Sequence, residues 1–84
     1  MPYLMYILYS KSSDRYYIGH TADVLEERIS KHNSHQGGFT GRSTDWKLVY
    51  KEEFATKQMA LEREMEIKVW KSRKRIETLI KLGE

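Results

Sequence analysis

Tyr6 and Tyr17 stand 11 residues apart, Arg28 and His32 follow them, and Glu64 lies well downstream. Two phenols, a guanidinium, an imidazole and a carboxylate form a set of groups suited to cutting a phosphodiester. That reaction needs an activated water, a cation against the phosphoryl oxygens, and relief for the leaving oxygen. The question is whether the chain can bring these side chains together.

The elements that must do so are legible as patterns. The stretch from Tyr3 to Tyr9 is apolar or aromatic on both alternating faces, which predicts a central strand covered on both sides. Residues 11–14 are polar and read as a turn, and residues 15–19 read as a second, short strand of a hairpin. A turn of two or four residues would place Tyr6 and Tyr17 on one face, whereas three would separate them. Asp23 is expected to cap a first helix, with Glu26 completing a capping box. Leu25, Ile29 and His32 share a row of that helix, and Arg28 borders it, so both charged groups face inward. An arginine there needs a partner or a ligand.

Residues 33–45 read as a polar, glycine-rich loop, in which residues 37–42 either contact phosphate through backbone N–H groups or serve only as a mobile connector. A third strand is expected from Trp46 to Lys51, with Phe54 continuing the side of Trp46, Leu48 and Tyr50. Thr56 is expected to cap a long helix whose apolar arc holds Ala60, Leu61, Met65 and Ile67. Glu64 falls near the middle of that arc, aimed at the core or a pocket. Ser72 is expected to cap a last helix anchored by Ile76, Leu79 and Ile80 and ending near Gly83. The order β-β-α-β-α-α predicts one α/β domain of the α+β type over residues 1–84, a three-stranded antiparallel sheet flanked by helices.

A chain of 84 residues leaves little stability to spare for idle buried charge. It has no cysteine, so disulfide frameworks and thiolate metal sites are excluded. The first apolar stretch is too short and too tyrosine-rich for a signal peptide, and no apolar run approaches a membrane span. A cytoplasmic protein with no membrane association is expected. The net charge is only +3, but Lys68, Lys71, Arg73, Lys74 and Arg75 cluster near the C-terminus. A pI of about 9.2 with clustered basic residues fits a polyanionic partner. A solvated helix surface is the competing reading.

The sequence resembles the GIY-YIG nuclease superfamily. The second half of its signature is literal as Tyr17-Ile18-Gly19. The first half is degenerate, with Leu4-Met5-Tyr6 where Gly-Ile-Tyr would stand. The gap between the tyrosines, Arg28 on the first helix and Glu64 in Ala60-Leu61-Glu62-Arg63-Glu64 also match. The resemblance spans nearly the whole chain. It is closest to small stand-alone bacterial members similar to the N-terminal nuclease domain of the excinuclease C protein. Several relatives carry an asparagine after the last catalytic helix, and the only asparagine here is Asn33.

The resemblance implies a metal-dependent DNA endonuclease, with a place in DNA repair or recombination. Glu64 would hold one divalent ion, Mg²⁺ or Mn²⁺, since such an ion keeps most of its waters and takes few carboxylates. Arg28 would bind the non-bridging oxygens as charge builds. Tyr17 is favoured as general base and Tyr6 as its hydrogen-bonded partner, although the residues alone do not separate the two roles. A phenol with a pKa near ~10 needs a nearby cation for such work. His20 stands where some relatives carry a lysine, and strand alternation turns it away from Tyr17. Gly19 is expected to serve close packing or a bulge. The partner would be DNA, branched, nicked or flapped, with a protein partner supplying specificity. The alternative is a nucleic-acid-binding module with no cleavage, or with cleavage only beside that partner.

More ordinary roles compete for the same residues. The tyrosines fit core strand positions, and Arg28 and Glu64 would satisfy each other as an ion pair. His32 fits a helix-end histidine satisfied by a backbone carbonyl as well as it fits an acid or base, and with His35 it could suggest zinc but lacks a third ligand. Trp70 fits a packed core better than a base-stacking platform.

Overall fold

The computed structural model describes residues 2–33 and 44–83. The element order is β1 (Tyr3–Ser10), β2 (Arg15–Thr21), α1 (Leu25–His32), β3 (Trp46–Phe54), α2 (Lys57–Trp70) and α3 (Arg73–Leu82). This is the expected β-β-α-β-α-α succession. The sheet is antiparallel with strand order β2-β1-β3, so the apolar β1 is central and β2 lies at an edge. The glycine-rich residues 37–42 and His35 lie outside the described residues.

The β1–β2 connection is residues 11–14, the four-residue turn that keeps both tyrosines on one face. Tyr6 pairs with Gly19, and Tyr17 with Leu8. Asp14 closes the turn in the left-handed region at φ 53°, a conformation that aspartate tolerates better than most residues. Asp45, just ahead of β3, accepts hydrogen bonds from Ser10 Oγ (2.6 Å), Ser12 N (2.8 Å) and Ser12 Oγ (2.9 Å). Buried Ser10 is thereby satisfied, and the turn is tied to the third strand.

The pleat divides the side chains between two cores. Tyr6, Leu8 and Trp46 pack with Tyr17, Leu48, Leu25 and Ile29 beneath α1. Met5, Ile7, Ile18 and Ile67 pack with Tyr50, Phe54, Trp70 and the apolar row of α3. Strand β3 serves both cores because of a bulge. Ile7 pairs with Tyr50 while Leu8 pairs with Leu48, which leaves Val49 as the extra residue. The uniform side expected for Trp46, Leu48, Tyr50 and Phe54 is therefore split. The first two face α1 and the last two face α2 and α3.

Two further expectations are corrected. Helix α1 begins at Leu25 behind Val24, which makes no side-chain cap, so neither Asp23 nor the Glu26 capping box forms. The cause is that β2 runs two residues past Gly19. Thr21 Oγ1 then takes the Asp23 N–H, and the turn falls one residue late. In α2 the buried residues are Ala60, Glu64 and Ile67, while Met65 is 57% exposed. Glu64 itself is the centre of the inward row, which turns Met65 about 100° away from it. Thr56 and Ser72 cap α2 and α3 as expected, accepting from Met59 N and Arg75 N.

Candidate active site

The centre of the site is the hydroxyl of Tyr6. Its ring is fully buried on the central strand, and its hydroxyl extends over the backbone of Gly19 on β2. A Cβ at position 19 would stand 2.8 Å from that oxygen and 2.9 Å from Tyr17 Cε1. Glycine is required here because the phenol occupies the side-chain space, a more specific reason than a generic bulge.

Helix α1 lies over this face and delivers Arg28 and His32 one turn apart. The Tyr6 hydroxyl and His32 Nε2 are hydrogen-bonded at 3.0 Å. The His32 ring also lies 4.6 Å from the Tyr17 ring, centroid to centroid, and the two tyrosine rings are 6.2 Å apart. The Arg28 guanidinium faces both phenols and favours the ionised form of Tyr6. Burial opposes it at Tyr6 and wins, so that phenol is pushed above its ordinary range. Burial, helped by the Arg28 charge, pushes His32 down, so its ring is neutral at pH 7. Arg28 Nε is buried without a hydrogen-bond partner among the described residues, a cost that a purely structural arginine would avoid.

Glu64 approaches from the other side of the sheet. Its carboxylate accepts from His20 Nδ1 at 2.6 Å and from Lys68 Nζ at 2.8 Å. His20 pairs with Met5 in the register, so it does face away from Tyr17, and that is how it reaches Glu64. The competing reading, an Arg28–Glu64 ion pair, is not the arrangement found, since Glu64 is engaged by His20 and Lys68. The two halves share the edge strand β2, and the Glu64 charge is felt at the Tyr6 phenol. Phenols, guanidinium and imidazole lie on one face and the carboxylate on the other, near enough for its charge to act on Tyr6.

A family model described as GIY-YIG catalytic domain matches residues 2–77. This chain belongs to the GIY-YIG family. It is 42% identical over 64 residues to a UPF0213 protein of Staphylococcus saprophyticus, spanning 75% of this chain and 77% of that protein. It is also similar to the solution NMR structure of a UPF0213 protein from Bacillus halodurans. That match has a TM-score of 0.61 and 30% identity, and covers 99% of this chain and 87% of the other. The GIY-YIG fold is a nuclease-type fold, and this chain shares the architecture of the UPF0213 structure it matches.

Within this GIY-YIG domain, no group of three or more His, Asp or Glu side chains is arranged to hold an ion among the described residues. A caged ion is therefore a poor fit. A largely hydrated ion on one carboxylate fits the donor set better, and Glu64 already attracts an ammonium group. Sequence reasoning puts Lys68 on a DNA-binding surface and misses it as the partner of Glu64. The signal is present, because the two are four residues apart on one helix.

The rest of the basic cluster is dispersed. Arg73 grips the β1–β2 turn through Asp14 Oδ1 (2.5 Å) and Oδ2 (3.1 Å), and also contacts Glu77. Arg75 lies over the Trp70 ring at 4.4 Å, so that face of the indole is covered. Lys71 and Lys74 remain exposed to solvent. Asn33 clasps the backbone of Trp46. It donates from Nδ2 to the carbonyl (3.0 Å) and accepts the N–H at Oδ1 (2.7 Å). No helix of the described residues is long and apolar enough to cross a membrane.

Proposed function

We propose that the protein is a divalent-metal-dependent DNA endonuclease. The observation that carries this reading is the Tyr6 hydroxyl, held between Arg28 and His32 over Gly19. Tyr6 stays protonated and hydrogen-bonds neutral His32, which fixes the phenol in place. Tyr17, less buried, is then the phenol that positions and deprotonates the attacking water. Arg28, facing that phenol, stabilises the charge that builds on the phosphoryl oxygens. His32 is ready to accept a proton at neutral pH. Glu64 would hold Mg²⁺ or Mn²⁺, which when bound supplies Lewis-acid help to the phosphoryl group and the leaving oxygen. Branched, nicked or flap DNA, in repair or recombination, is the substrate class this reading takes.

The test is incubation of purified protein with such DNAs in Mg²⁺ or Mn²⁺. Tyr17→Phe and Glu64→Gln should each lower the cleavage rate by a factor of about 100 or more. Cleavage that persists in Glu64→Gln would sink the metal role. One observation favours the alternative of a DNA-binding module that cuts only beside a partner. Both oxygens of Glu64 are already engaged, so an ion must compete with Lys68. Salt-dependent DNA binding with no cleavage in any metal would select that reading.

A further inference from the structure

Beyond the reacting groups, a polar cleft of about 250 Å³ opens at the end of β2. It is lined by His20, Thr21, Ala22, Asp23, Arg28 and Lys57. These residues come from the end of the edge strand, its link to α1, α1 itself and the first residue of α2. Two permanent cations and an imidazole face one carboxylate, that of Asp23. Lys57 is exposed, with no hydrogen bond or ion pair among the described residues, so its ammonium has no structural task there. Arg28 joins this cleft to the catalytic centre. Its planar guanidinium faces the Tyr6 phenol, and the same side chain lines the cleft. A guanidinium presents five donors in a fixed fork, enough for two oxyanions at once.

We propose that this cleft seats the DNA backbone phosphate adjacent to the scissile one, with Lys57 as its ammonium ligand and Arg28 bridging the two phosphates. The proposal rests on the nuclease reading for its substrate. It adds a binding residue outside the Tyr, Arg, His and Glu set, and a direction for the strand, which runs from the tyrosine pair toward the N-terminus of α2.

The experiment is fluorescence anisotropy of labelled flap and duplex DNA in EDTA, where no cleavage competes, over a range of salt. Lys57→Gln should weaken binding about tenfold at low salt. It should also reduce the slope of log K against log salt by about 0.9, the value of one lost phosphate contact. Lys57→Arg should restore both. Lys47→Gln, on β3 at the opposite edge, should leave both unchanged. Because Lys57 is exposed, the melting temperature of Lys57→Gln should equal that of the wild type. An unchanged slope in Lys57→Gln would overturn the proposal while leaving nuclease activity standing. The slope reduced as stated, with no cleavage of the same DNAs once Mg²⁺ or Mn²⁺ replaces EDTA, would remove the nuclease reading and keep the cleft as a backbone-phosphate site. No DNA binding by wild-type protein at low salt would remove both.

Discussion

Position 19 is where residue chemistry is most tightly constrained. The missing Cβ is replaced by the hydroxyl of a tyrosine that is fully buried and cannot swing aside. Gly19→Ala should therefore cost about 1–3 kcal/mol through overpacking. It should also move the phenol by several tenths of an ångström from His32, and misplacement of about 1 Å at a reacting centre costs about a hundredfold in rate. Single-turnover cleavage should fall several-fold, short of that hundredfold, while DNA binding changes less than about twofold, and a parallel loss of binding would assign Gly19 a merely structural role. Much of this was legible, because Tyr17-Ile18-Gly19 is local and Arg28 and Glu64 sit on rows that helical periodicity exposes. The partners were harder to read. Alternation turns His20 away from Tyr17, as found, but nothing in alternation says that it meets Glu64 there. Lys57 carries no sequence signal at all and is recruited only when α2 starts beside the end of β2.

Among the elements, the junction between α2 and α3 holds the clearest local cost. Lys71 ends α2 in the left-handed conformation at φ 48°, where a Cβ is penalised and glycine is the usual occupant. Lys71→Gly should raise stability by about 1 kcal/mol. The readout is a higher urea midpoint at unchanged m-value, and a lower midpoint would mean that the lysine stem packs usefully. The same variant removes one exposed cation of the basic cluster. Caps such as Thr56 and Ser72 were legible because a cap is a contact within one turn. Asp23 misled for the complementary reason: the end of β2 is set by pairing with β1, and that pairing decided where α1 could begin. The bulge at Val49 was equally hidden, since nothing within residues 46–54 marks it and only the partner strand shows the slip.

Over the whole molecule, the β1–β2 turn is the point where distant parts are tied together. Asp45 binds it to β3, and Asp14 binds it to α3 through Arg73. Hydrogen bonds from Ser10 and Ser12 push the Asp45 carboxyl down to about 2, and Arg73 does the same for Asp14. Both folded values lie below the ordinary carboxyl value of about 3.9 in an unfolded chain. Their stabilisation is therefore complete above about pH 4 and is lost as the pH falls toward about 2. Urea midpoints measured by circular dichroism should drop through that window. Asp45→Asn should lower the midpoint at pH 7 and flatten the acid limb, and an acid limb as steep as the wild type's would exclude Asp45 as a contributor. The three-stranded architecture was legible from alternation and helical rows, but the division of the site between the two faces of the sheet was not. Strand β3 carries the last consequence. Because Val49 breaks the pleat, residues before it and after it obey opposite parity. Deleting Val49 would restore a regular register, with Leu48 still opposite Leu8 and Tyr50 still opposite Ile7, so both stretches would keep their present faces. This strand can therefore shorten by one residue at the bulge, whereas an odd step beyond Tyr50 would exchange inside for outside in the residues that follow.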